Sequence, residues 1–269
     1  MKNVLLLIHD DAGQEARLQA ALDLTRALEG HLTCLDVVRF PVLGNDYVSA
    51  AGETVLLEDE RAQEAANRER VGERLRDENV AWTMADTTGD FVGSIARFAG
   101  LADIIVLNRK LDSTSEPNML GLASDVVLRC RKPILAVPDD VRSFDAAGAA
   151  LVAWDGSLPA MAALTMSVPL LKLARSVELV EVQGPAAGTV REAAQYLSRH
   201  DIHAEASLLA PFRESPHEPA QVIRRVIEKG GYSYCVMGAY GHPRIREALL
   251  GGVTRSMLSA SPVPLVLAH

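Results

Sequence analysis

Residues 232–269 read YSYCVMGAYGHPRIREALLGGVTRSMLSASPVPLVLAH. An apolar run ends at Gly238, and Gly241 follows three residues later. Then come nine residues, Gly251 and Gly252 together, and Thr254. The segment from Val253 to Ser259 predicts a helix, and Pro264 opens a last apolar run. Glycine is costly inside regular elements, so its concentration here implies that bare backbone is needed. The two apolar runs lack alternation, which fits strands buried on both faces of a parallel sheet. In such sheets ligands sit at the carboxyl ends of the strands. Unpaired amides at a helix start suit an anion there. Gly238 and Gly241 are therefore expected to turn closely over a ribose or a phosphate. Gly251, Gly252, Val253 and Thr254 are expected to supply amides, with the Thr254 hydroxyl as an extra donor. The spacing is neither a Walker A loop nor GxGxxG.

The same unit can be followed outward. Strands are predicted at 3–10, 31–38, 80–86, 103–108 and 133–138, and again at 149–156, 176–182, 203–210, 232–238 and 264–269. Helical periodicity lies between them, as in Leu18, Ala21, Leu22, Thr25 and Leu28, which Gly30 closes. Residues 57–78 predict a long solvated helix. The element order βαβαβαβαβ thus occurs twice. Sliding the chain by about 131 residues, a period of domain size, lays ADIIVLNRK (102–110) over SYCVMGAYG (233–241). It also lays MLGLASDVVLRCRKPILAV (119–137) over LGGVTRSMLSASPVPLVLA (250–268). The expected class is α/β: two tandem, open, parallel five-stranded sheets with helices on both faces, Rossmann-like. The expected domains are 1–140 and 149–269, joined by the polar linker DDVRSFDAAG (139–148). In this overlay Leu107, Lys110 and Leu120 stand where the second half has Gly238, Gly241 and Gly251. The first half is therefore expected to have lost the glycine site; Arg109 and Lys110 offer an alternative anion site, but solvated surface charges are the favoured reading of the two. It also carries a longer loop, 41–55, where the second half has only GPAAG.

Composition narrows the function. The 269 residues are 48% hydrophobic and carry a net charge of −8. An acidic surface without a Lys/Arg block disfavours nucleic acid and anionic membranes. Three cysteines without a CxxC read as buried apolar residues in a reducing compartment. The start, MKNVLLLIHDD, has too short an apolar run for a signal sequence or a span. A cytoplasmic location is expected.

At the glycines the sequence resembles the universal stress protein family. That family carries Gly-x2-Gly-x9-Gly followed by Ser or Thr, then a helix, a proline and a final apolar strand. Its first strand ends in Asp; here WDGS places Asp155 there. The resemblance runs through both halves in element order, so it implies a tandem member. It implies strand order 3-2-1-4-5 and pairing of the two final strands, so that the halves form an intramolecular pseudo-dimer. In the ATP-binding branch of the family, adenine lies near the end of strand two and the first-strand Asp. The phosphates lie on the glycines. Carried onto this chain, the site is Val182, Asp155, Gly238, Gly241, His242, Gly251, Gly252, Val253 and Thr254. Gly252 departs from the family's Ser or Thr, which removes a hydroxyl worth about 0.5–1.5 kcal/mol.

The resemblance implies a stress-response protein that binds ATP or a related adenine nucleotide in its C-terminal half and acts as a regulatory module, alone, as a homo-oligomer or with a protein partner. A slow Mg²⁺-dependent hydrolase with Asp155 on nucleotide-bound Mg²⁺ is a second reading, and a nucleotide-independent interaction protein a third. No nucleophile elbow, paired Cys and His, or paired carboxylates accompany the glycines. His9-Asp10-Asp11 reads as strand-end packing and loop capping, and His200, His203 and Glu205 lack a second ligand cluster.

Overall fold

Apolar strands with no polar face have to be covered on both sides, and this chain covers them with helices. The computed structural model describes residues 1–39, 50–109, 121–182, 189–209, 218–241 and 252–269. The first half runs β1 (Asn3–Ile8), α1 (Gln14–Ala27), β2 (His31–Val38), α2 (Ala50–Arg76), β3 (Ala81–Thr88), α3 (Phe91–Phe98), β4 (Ile104–Asn108), α4 (Leu122–Cys130) and β5 (Ile134–Val137). The second runs β6 (Ala149–Trp154), α5 (Leu158–Leu171), β7 (Ser176–Val182), α6 (Val190–Ser198), β8 (Ala204–Leu209), α7 (Glu218–Gly230), β9 (Tyr234–Gly238), α8 (Gly252–Ala260) and β10 (Leu265–Ala268). Two helix starts are set by local chemistry. Asp90 accepts the Gly93 N–H at 2.7 Å ahead of α3. Ser157 accepts the Ala160 N–H at 3.3 Å ahead of α5, with Pro159 in the first turn.

The strands order as β3-β2-β1-β4-β5-β10-β9-β6-β7-β8. Each half therefore has the order 3-2-1-4-5, all parallel. The seam between them is antiparallel: Leu265 faces Ala136, Val266 faces Leu135 and Leu267 faces Ile134. Two five-stranded sheets become one of ten strands, and the pseudo-dimer is built by backbone hydrogen bonds. One side of the sheet buries Leu6, Leu22, Val152 and Leu164 under α1 and α5. The other buries Leu7, Val126, Met237 and Met257 under α4 and α8.

Three expectations need correction. The long helix of the first half begins at Ala50 rather than Leu57, so it takes up part of the expected 41–55 loop; residues 40–49 lie outside the described residues. The linker, expected only as a polar join, is packed. Phe144 is buried against Tyr234, with ring centroids 5.5 Å apart, and its N–H donates to Asp23 at 2.9 Å. The repeat also has a different register. Asn108 pairs with Val137 as Gly238 pairs with Ala268, so β4 lies over β9 at a slide of 130 residues. The last strands, starting at Ile134 and Leu265, need 131. The second half therefore has one more residue between its last helix and last strand, which a gapless overlay cannot detect. Asn108, not Leu107, stands at the Gly238 position. Leu107 points to the opposite face, packed with Leu5 and Val126. Gly121, just before α4, falls at the Gly251 position, so the first half keeps the third glycine rather than losing all three.

Candidate functional site

The carboxyl ends of β6, β7 and β9 place the expected residues of the second half. Trp154 pairs with Glu181, so Asp155 leaves β6 beside Val182, the last residue of β7. Asp155 is exposed and folds back to accept the Ser157 N–H at 2.9 Å. Gly156 permits that turn with a φ of 71°. Gly241 lies over the turn: a Cβ there would come 2.8 Å from Ser157 Oγ and 3.7 Å from Asp155 Oδ2. Asp155, Ser157 and the Gly241 backbone are thus in one place. Val182 is half-buried and paired with Leu209.

Gly238 has a different use from the one expected. A Cβ there would stand 2.5 Å from the Ala160 nitrogen and 2.7 Å from the Pro159 carbonyl carbon. Its bareness lets the start of α5 press onto β9, which seats Ser157 near Gly241. The Thr254 hydroxyl is also engaged within the protein. Thr254 is buried, and its Oγ1 accepts the Tyr240 N–H at 3.3 Å. It fixes the loop above α8. Gly252 opens α8, and Val253 packs against the core behind it. His242 and Gly251 lie outside the described residues, as do Lys110, Leu120 and the GPAAG segment.

Sequence reasoning missed two neighbours. The Trp154 indole donates to Thr189 at 2.9 Å, and Thr189 Oγ1 is 2.8 Å from where a Gly156 Cβ would be. Glu181, buried beneath Val182, accepts the Val190 N–H at 3.1 Å. Neither belongs to a motif; only the pairing of β6 with β7 brings them together.

At the matching place, the first half is filled. Arg17 on α1 is fully buried. Its guanidinium donates to the Leu7 carbonyl at 2.7 Å, the His9 carbonyl at 3.1 Å, Asp11 Oδ2 at 2.9 Å, and Asn108 Oδ1. Asn108 Nδ2 donates to Asp139 at 2.7 Å and to the Gly13 carbonyl at 3.1 Å. Gly13 is bare for the reason Gly238 is, seen from the other side: a Cβ there would lie 2.4 Å from Asn108 Nδ2. Arg109, offered as an anion ligand, donates to the Ser261 carbonyl at 2.6 Å. His9 packs edge-on to Phe91 with centroids 5.1 Å apart and has Glu64 at 2.5 Å, while Asp10 pairs with Arg70 at 2.9 Å. Among the described residues no group of three His, Cys, Asp or Glu could hold a metal, and no helix is long and apolar enough to cross a membrane.

Comparison with known proteins agrees with this fold. Residues 149–269 match the model of the universal stress protein family. A universal stress protein from Archaeoglobus fulgidus DSM 4304 superposes with a TM-score of 0.75 at 17% identity, covering 99% of this chain and 97% of that one. A structure from Pseudomonas aeruginosa UCBPP-PA14 carrying the same family name gives a TM-score of 0.56 at 15% identity, covering 100% and 93%. At these identities the likeness establishes the fold. No curated protein matches the sequence.

Proposed function

Because residues 149–269 belong to the universal stress protein family, we propose that this half binds an adenine nucleotide, ATP in the first place, and that the chain serves a stress response as a regulatory binding module. The observation that carries this reading is the meeting of Asp155, Ser157 and bare Gly241 backbone at the carboxyl ends of β6 and β9. Asp155 has one oxygen committed to the Ser157 N–H and a second facing the Gly241 side. A carboxylate so placed can accept ribose hydroxyls or ligate a Mg²⁺ ion, which favours oxygen donors. With no three-ligand cluster among the described residues, such an ion would arrive on the phosphates. Phosphate would face the start of α8, which opens at Gly252 and where the helix dipole is positive. The first half offers Arg17 and Asn108 bonded to each other in the corresponding space, so one nucleotide per chain is expected.

Calorimetric titration of Mg·ATP into the nucleotide-free protein tests this. The expected result is one site per chain, weakened at least about tenfold in Asp155→Ala and lost in Gly241→Val, whose side chain would enter the Ser157 turn. Absence of binding to folded wild-type protein would overturn the reading and favour an interaction protein that works without nucleotide.

A further inference from the structure

Tyr240 lies between the two glycines of the loop and is bonded to both halves of the molecule. Its φ of 59° places it in the left-handed region. A bulky residue stays there only when its surroundings hold it. Two hydrogen bonds do so. The Tyr240 N–H donates to Thr254 Oγ1 at 3.3 Å, within the second half. The phenol donates to Ser124 Oγ on α4, in the first half. Ser124 is buried, so water does not readily replace the phenol. Burial also raises the phenol's pKa, with Asp125 adding to this and Ser124 and Arg255 opposing it, which keeps the proton on the donor.

The β5–β10 seam makes this reach possible, because it brings α4 and α8 to the same face of one sheet. Ser124 stands on α4 where Thr254 stands on α8, so Tyr240 is bonded to the same position of both helices. Contact also runs the other way. Arg109 of the first half donates to the Ser261 carbonyl just beyond α8, at 2.6 Å. Gly241, the next residue after Tyr240, is the one that lies over Asp155 and Ser157. A change in the Tyr240 φ therefore moves backbone directly at the candidate site.

We propose that Tyr240 is a positioning residue through which the first half sets the glycine loop of the second: the seating of α4, read through Ser124, fixes the Gly241 backbone against Asp155. This rests on the nucleotide reading above, and gives the half without a site a part in the affinity of the other. It also implies reciprocity. A ligand that holds the Gly241 backbone against Asp155 would tighten the seam between the halves.

The test is a double-mutant cycle with Ser124→Ala, Tyr240→Phe and the two combined, read in two ways. The first is Mg·ATP affinity by calorimetry. Each single variant is expected to bind about tenfold more weakly, with the pair no worse than either alone, since both remove one bond. The second is hydrogen exchange at the Tyr240 amide without nucleotide, expected to quicken in Ser124→Ala while the β6 amides stay protected. Additive losses, or unchanged Tyr240 exchange, would overturn the proposal. If wild-type protein binds no ATP but exchange still quickens, the nucleotide reading fails while the positioning role stands.

Discussion

The sixth residue of the second strand is a buried acid in both halves, and the two are served differently. Glu181 pairs with Trp154 in the sheet and accepts the Val190 N–H at the start of α6. Asp36 pairs with Ile8, but on its far side stands α2, which brings Glu64 and Arg68 over it. The same contrast recurs two strands over, beyond β1 and β6. Gly238 lets α5 approach as backbone, whereas Asn108 fills the gap and is bonded by the fully buried Arg17. The second half keeps main chain at the carboxyl ends of its strands, and the first has rebuilt them with side chains. Here the first half's side chains are one another's partners, with a glycine, Gly121, still in place at the Gly251 position.

The strongest way to break this comparison is to remove Arg17. In Arg17→Ala the Leu7 and His9 carbonyls, Asp11 and Asn108 each lose the hydrogen bond they accept from the guanidinium, while the His9 carbonyl keeps the Asp11 N–H and Asp11 keeps the Gly13 N–H. Breaking a buried charged network in this way typically costs about 3–5 kcal/mol. Urea unfolding should register that loss. A cost under about 1 kcal/mol would mean that the filled mouth contributes little to the first half.

Next in size is Gly238→Val. The new Cβ would meet the Pro159–Ala160 backbone, which cannot turn aside, so overpacking of about 1–3 kcal/mol is expected. Gly241→Val sharpens the contrast. It meets the Ser157 side chain, whose rotation gives up the cap of α5, worth about 1 kcal/mol, so the stability loss should be the smaller one while nucleotide binding is lost. Thermal unfolding of the two variants side by side separates them. If Gly238→Val were as stable as wild type, the close approach of α5 would not be what demands the glycine.

Much of this fold was legible. Apolar runs such as DIIVLN and PLVLAH announce buried parallel strands because they have no polar face, and the final proline and strand of each half announce the repeat. The register was not legible. Leu107 over Gly238 looked like an apolar residue on an apolar strand, and one extra residue after α8 shifted the alignment without spoiling that pattern. Pleat alternation decides it: Ile104, Val106 and Asn108 share a face, as do Tyr234, Val236 and Gly238. Asp155 and Gly241 could be named from the motif, but Thr254 could not be assigned its partner, because its bond to the Tyr240 amide depends on a left-handed turn. Tyr240 itself gave no signal, since Ser124 is 116 residues away.

The smallest effect concerns the acid that opened the comparison. Asp36 is pushed up from 3.8 to about 7, chiefly by burial and then by Glu64 beside it, with Arg68 opposing and Asp86 adding. A carboxyl whose folded value is raised holds its proton more tightly in the folded chain. Its stabilising share is complete below about pH 4 and is lost as pH rises through 7. Asp36→Asn keeps the shape and removes the charge, so it should gain on wild type across that window. The gain should be on the order of 1 kcal/mol per pH unit, or a few degrees in Tm for each unit. Glu64 is one cause of the raised Asp36 value, so Glu64→Gln should flatten the same slope. Thermal unfolding of the three proteins between pH 5 and 8 tests this. Wild type and Asp36→Asn should diverge as pH rises. Parallel curves would mean that Arg68 offsets the buried charge fully, and that the first half closes over Asp36 at no cost in this pH range.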